Sequence, residues 1–201
     1  IMSKPIFFIF SLILMFKFSY TQNQDNCNYD EIPTENGFYE GCVNYEGNPN
    51  GEGKWTQANG LIYIGMFKDW KFHGPGTLKF PEGDVYEGNF VENKRQGYGE
   101  YTYANGNKYV GSFENNMFSG HGEYTYANGN KYVGSFENDM FSGHGELTFA
   151  NGNTYVGSFE NDMFSGQGTN TSNYDDQNHI SEGFFSNGML REGTKTISYN
   201  N

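Results

Sequence analysis

The chain has 201 residues and a formal net charge of −12, which argues against a nucleic-acid binder, whose affinity comes from neutralising phosphates with Lys and Arg. Its 28 glycines come with only 5 prolines and no strict triplet spacing, so collagen is excluded, and an aromatic content of 18% is far too high for an acidic disordered chain. Two cysteines allow at most one disulfide, which rules out a cysteine-framework miniprotein.

Residues 1–21 are expected to form a secretory signal peptide. Lys4 supplies a positive start, and Ile6–Phe16 is an apolar or small run that Lys17 ends. A spanning helix needs roughly 20 apolar residues, so this shorter run suits a signal core. Retention as an N-terminal membrane anchor is the alternative. The expected destination is the secretory pathway, secreted or lumenal. A linker is expected over 22–38. Cys27 and Cys42 flank the first structured residues, and an oxidising compartment would permit a disulfide between them; two small buried thiols are the bland alternative.

From Tyr39 the chain repeats itself. Copies begin at Tyr39, Tyr63, Tyr86, Tyr109, Tyr132 and Tyr155, each 23 residues after the last except for one extra residue in the first copy, before Gly51. A fixed period of this size marks supersecondary units that stack on their neighbours. Each unit reads Tyr-x-Gly-x-aromatic (with Val43 in the aromatic slot of the first copy), a loop, Gly-x-Gly, an apolar pair and a turn. Tyr132, Gly134 and Phe136 alternate with Val133, Ser135 and Glu137, which is the period of a half-buried strand. The second segment alternates likewise, with Gly143, Gly145, Leu147 and Phe149 on one side. Asn-Gly at 59–60, 105–106, 128–129 and 151–152 marks tight turns. The predicted architecture is all-β: an elongated single-layer antiparallel meander over 39–168, with Tyr and Phe rings lying over the recurrent glycines.

After Gly168 the pattern dissolves. An irregular polar insertion is expected over 169–180, carrying the sequon Asn170-Thr171-Ser172 as an N-glycosylation candidate. Residues 181–201 read as a degenerate repeat that caps the array.

Chemistry is sparse. No Gly-x-Ser-x-Gly occurs; Ser112, Ser135 and Ser158 share one repeat slot, and His121 and His144 share another. Neither set supplies a nucleophile with a base and an orienting partner. Glu114, Glu137 and Glu160, with Asp139 and Asp162, form an acidic stripe that reads as a solvated face rather than a calcium site. The Gly-x-Gly pairs lack the Lys-Ser/Thr of a phosphate loop. No catalytic, cofactor or metal residue is therefore assigned. The recurrent loop segment gives Met117/Phe118, Met140/Phe141 and Met163/Phe164 along one edge, a candidate partner-docking ridge of adaptable Met surface, with inward packing as the alternative.

Tyr-x-Gly-x-Phe followed by Gly-x-Gly at this period, over Tyr39–Gly168, resembles the MORN (membrane occupation and recognition nexus) repeat family. The resemblance implies a non-enzymatic scaffold for protein–protein contact or self-association. It implies, as the alternative, a phospholipid tether. The acidic balance disfavours anionic headgroups, although Lys54, Lys68, Lys71, Lys79, Lys94 and Arg95 concentrate in the first three units. Similar repeats also precede the catalytic domains of some phosphatidylinositol phosphate kinases and histone-lysine methyltransferases; residues 169–201 are too few for either domain.

Overall fold

The computed structural model describes residues 27–174 and 177–199; the signal segment and residues 22–26 of the linker lie outside them. The described chain is one open sheet of 15 antiparallel strands arranged in sequence order. They are β1 (Asn28–Thr34), β2 (Gly37–Val43), β3 (Pro49–Gln57), β4 (Ile62–Lys68), β5 (Lys71–Lys79), β6 (Val85–Val91), β7 (Lys94–Thr102), β8 (Lys108–Glu114), β9 (Met117–Thr125), β10 (Lys131–Glu137), β11 (Met140–Thr148), β12 (Thr154–Glu160), β13 (Met163–Tyr174), β14 (Gln177–Ser186) and β15 (Met189–Tyr199). The predicted single-layer β-meander is therefore the observed one.

One face carries the core. The first tyrosine of each unit (Tyr39, Tyr63, Tyr86, Tyr109, Tyr132, Tyr155) is fully buried, and Phe67, Phe90, Phe113, Phe136 and Phe159 lie beside them. The rings interlock edge to face across units: Tyr132 meets Phe136 of its own unit at 5.2 Å and Phe159 of the next at 4.9 Å. Such pairs add about 0.5–1.5 kcal/mol each beyond the area they bury. A two-stranded unit alone would be marginal, so the interlock between units is what makes the thin sheet stable.

The two glycines of each Gly-x-Gly do different work. At Gly143 the backbone is left-handed, with φ +56°, and the register jumps: Gly134 pairs with Gly145, but Ser135 pairs with Ser142. The bulge removes Gly143 from the inward alternation that the sequence pattern predicts and leaves it exposed beside His144. Gly145 instead lies beneath the Tyr132 ring, where an added Cβ would sit 2.5 Å from the hydroxyl. Gly134 faces the same ring. The tyrosine crosses both strands and its O–H donates to the carbonyls of Ser135 (3.0 Å) and Ser142 (3.3 Å) at the bulge. Burial pushes this hydroxyl up to about 12.

Three expectations are corrected. The linker is strand from Asn28, paired along its length with β2. The irregular insertion is a regular hairpin, since β13 continues to Tyr174 and pairs with β14 from Thr169–Glu182 to Tyr174–Gln177. Its polar composition misleads because β12 and β14 satisfy its backbone groups whatever the side chains are. The loop segment that carries Met140 and Phe141 is shorter than expected: it is a two-residue turn, Asn138-Asp139, with φ of 52° and 68°, and Met140 onward is strand. The Asn-Gly sites are tight turns as expected: Gly106 N–H donates to Tyr103 O and Tyr103 N–H to Asn107 O, with positive φ at Gly106.

Candidate functional site: an aromatic groove clamped at its edge

Both edges of the ribbon are laced by side chains that reach the neighbouring unit. Along the edge of the two-residue turns, the second turn residue accepts a backbone N–H from the preceding unit. Asn93 Oδ1 accepts from Phe72 (2.7 Å), Asn116 from Arg95 (2.8 Å), Asp139 from Phe118 (2.6 Å) and Asp162 from Phe141 (2.7 Å). The backbone N–H of the same residue donates back, as Asp139 does to Phe118 O. At the opposite edge Asp84, Asn107, Asn130 and Asn153 accept from Ala104, Ala127, Ala150 and Asn173. Part of the stripe read as solvated is thus a structural clamp. Among the described residues no cluster of His, Cys, Asp or Glu is arranged to hold a metal ion.

The candidate ridge divides into two populations. Phe118 and Phe141 are buried, and Phe164 packs against the core. Their rings stack on Tyr109, Tyr132 and Tyr155 at 3.8, 3.8 and 3.7 Å. They are core, and the inward-packing alternative is the arrangement observed for them. The methionines stay at the margin: Met117 and Met163 are exposed and Met140 is half-buried.

The other candidates are scattered. Cys27 and Cys42 form a disulfide, with Cα atoms 5.5 Å apart, fastening the start of β1 to β2. Asn170 is half-buried within β13 and pairs with Tyr155, so it occupies the inward slot filled by Leu147, Tyr124 and Tyr101 in earlier units. It does not lie in an exposed insertion. His121 and His144 are exposed, 23 positions apart on separate strands. The basic residues of the first units are dispersed: Lys54 pairs with Glu40, Lys71 with Glu92, and Lys94 donates to Asn115.

One concavity among the described residues was not singled out by the sequence motifs. A groove of about 520 Å³ is lined by Arg95, Tyr101, Tyr103, Phe118, Tyr124, Tyr126, Phe141, Asp139 and Asp162. Its floor is two tiers of tyrosine, Tyr101–Tyr103 at 4.6 Å and Tyr124–Tyr126 at 4.7 Å. Burial pushes the Tyr103 hydroxyl up to about 12 and that of Tyr126 upward as well. Tyr101 O–H donates to Asp84 Oδ2 at 2.7 Å. Arg95 stands at the slot that Phe72, Phe118, Phe141 and Phe164 fill elsewhere. Its guanidinium lies 4.9 Å from the Tyr101 ring centre, 5.5 Å from Phe113 and 5.7 Å from Tyr86, and donates to Asn116 O. Superposing the six units slot by slot would have exposed this Arg among rings and the doubled tyrosines of the third and fourth units. The arrangement offers stacking surface, phenol hydroxyls and charges of both signs.

A likeness to a solved structure, the SAS-4 (dCPAP) TCP domain in complex with a proline-rich motif of Ana2 (dSTIL) of Drosophila melanogaster, covers 86% of this chain and 90% of that one, at 10% identity and a TM-score of 0.40. At that level it carries no argument about function. No curated protein matches the sequence. The model of the MORN repeat matches residues 39–62, 63–85, 86–108, 109–131, 132–154 and 155–170. With six consecutive matches spanning more than half its length, the chain belongs to the MORN repeat family.

Proposed function

We propose that this chain is a non-catalytic interaction module, a rigid ribbon that presents its aromatic face to a protein partner. The observation that carries this reading is the groove itself: the sheet is a single layer, and no second layer of the described chain covers the tyrosine tiers. Repeat proteins bind partners on such extended surfaces. The test substitutes Tyr103→Ser and Tyr126→Ser and compares recovery of crosslinked partners from the source cells with that by the parent protein. Recovery should fall while the β circular dichroism signal is retained. Unchanged recovery by a folded double variant overturns the reading.

A phospholipid tether is the weaker reading, since the lysines of the first units are largely engaged by neighbouring side chains and anionic surfaces reward free clusters of Lys and Arg. Flotation with vesicles containing phosphatidylserine should leave the protein unbound. We also propose the secretory pathway as its compartment, supported by residues 1–21 and compatible with the Cys27–Cys42 disulfide. Expression in a secretory host, followed by intact-mass analysis, should show loss of the first ~20 residues. An intact N-terminus recovered from the cytosol contradicts this assignment.

A further inference from the structure

Tyrosine tiers in the groove recur once per unit. Tyr101/Tyr103 and Tyr124/Tyr126 occupy the same slots in successive units, and Phe80 precedes them in the slot of Tyr103. One unit advances the ribbon by two strands, or roughly 9.4–9.8 Å. A polyproline II helix completes a turn in three residues, or about 9.3 Å, and so returns the same face to each successive tier. An α-helix returns its face only after seven residues, about 10.5 Å, and drifts by ~20° each time. An extended strand keeps one face at steps of about 6.6 and 13 Å. Neither tracks the tiers as closely.

Charge then selects among polyproline sequences. Asp139 and Asp162 line the groove one unit apart, bonded to the N–H groups of Phe118 and Phe141 in successive units, and among the described residues each is hydrogen-bonded through Oδ1 alone. Arg95 fills the slot one unit before Phe118 and is held over three rings. The chain as a whole carries −12. From this we infer that the groove takes a proline-rich segment of a partner protein, in the polyproline II conformation, with basic residues one turn apart facing Asp139 and Asp162. Prolines would seat between the tyrosine tiers, the recognition mode of aromatic-lined polyproline grooves, and the flanking Arg or Lys would meet the two carboxylates. This rests on the interaction-module reading and names the class of partner.

The test uses the protein from residue 22 onward and a fluorescein-labelled dodecamer with P-x-x-P spacing and two arginines three residues apart, read by fluorescence anisotropy. Two control peptides have the same charges, one with Gly and Ser in place of the prolines and one built on alanine as a helix. The proline-rich peptide should bind at least tenfold more tightly than either. Asp139→Asn combined with Asp162→Asn should weaken it at least fivefold and flatten its salt dependence. This variant should keep the fold, because Asn93 and Asn116 already make the same clamp in the third and fourth units. Tyr103→Ser with Tyr126→Ser should abolish binding, whereas Val133→Thr on the opposite face should leave it unchanged. Equal binding of the Gly/Ser peptide would mean charge alone, and preference for the helical peptide would mean a groove for helices; either overturns the proposal while the interaction-module reading stands. Absence of binding by all three peptides, with cellular crosslinking still dependent on Tyr103 and Tyr126, also overturns it. If the tyrosine variants leave cellular crosslinking unchanged as well, the interaction reading falls with it.

Discussion

Adding a single methyl group at Gly145 should destabilise the array more than the size of the change suggests. The new Cβ would lie 2.5 Å from the Tyr132 hydroxyl and 2.6 Å from Cε2, so the ring must move. It has nowhere to go: Phe141 stacks on it at 3.8 Å, and Phe136 and Phe159 bracket it at 5.2 and 4.9 Å. Displacing it also weakens the hydroxyl's bonds to Ser135 and Ser142 across the bulge. Overpacking at about 1–3 kcal/mol and a lost hydrogen bond at about 0.5–1.5 kcal/mol place Gly145→Ala near 2–4 kcal/mol. Gly143→Asn provides the contrast. There the backbone is left-handed, a conformation Asn adopts with little cost, and the added Cβ meets Ser135 Cβ only at 3.4 Å, so less than about 1 kcal/mol is expected, as for a tolerated surface change. Urea unfolding followed by circular dichroism, with both variants and the parent at one protein concentration, measures the difference. Equal midpoints for Gly145→Ala and Gly143→Asn would refute the ring-over-glycine account of the repeat.

Phe136→Ala, which removes a buried ring shared by Tyr109 and Tyr132, should cost ~3–5 kcal/mol in the same unfolding assay. Asp139→Ala should lose the clamp on Phe118 N–H, about 0.5–1.5 kcal/mol, while Asp139→Asn stays near the parent. Raising pH should weaken the fold: Tyr132 and Tyr103 are held near 12 against about 10 unfolded, so their contribution is complete below pH 10 and disappears as pH rises through 12. Phenolate absorbance should then rise together with loss of the β signal; ionisation of every tyrosine near pH 10 with the sheet intact would contradict it. Reducing the Cys27–Cys42 disulfide, which closes a loop of 15 residues, should destabilise the β1–β2 end by up to about 3 kcal/mol. Hydrogen exchange should quicken in Asn28–Thr34 and remain slow at Tyr132.

The period-2 alternation made the strands and the inward face legible, since Tyr132, Gly134 and Phe136 can share a side only if the segment is extended. The tyrosine-over-glycine contact was legible for the same reason. What escaped was decided by partners distant in sequence. Asp139 looked like a solvated carboxylate because its donor, Phe118 N–H, lies 21 residues back. Residues 169–174 looked irregular because strand formation there depends on β12 and β14, not on hydrophobic content. The segment after Glu137 was read as a longer loop because nothing local marks Asn138-Asp139 as a two-residue turn; it takes positive φ at both positions, and the hydrogen bonds to Phe118 hold it there. Arg95 was counted as one more surface cation, and only its slot, opposite Phe90, reveals that it stands on the ring face.

Interchangeable junctions make the length of this molecule a discrete variable. The segment Lys-Tyr-Val-Gly-Ser-Phe-Glu occurs in both β8 and β10, so excising residues 109–131 joins Lys108 to Tyr132 and rebuilds the same strand. Asp139 would then fall where Asn116 stood and could take up the same donor, Arg95 N–H. An excision one residue longer or shorter shifts one side chain set to the wrong face and leaves the edge ladders out of step. Near-identical neighbouring blocks are also the substrate on which recombination slips. Relatives of this chain should therefore differ by whole blocks of 23 residues, each altering the reach of the ribbon by roughly 9.4–9.8 Å while leaving every surviving contact as it was.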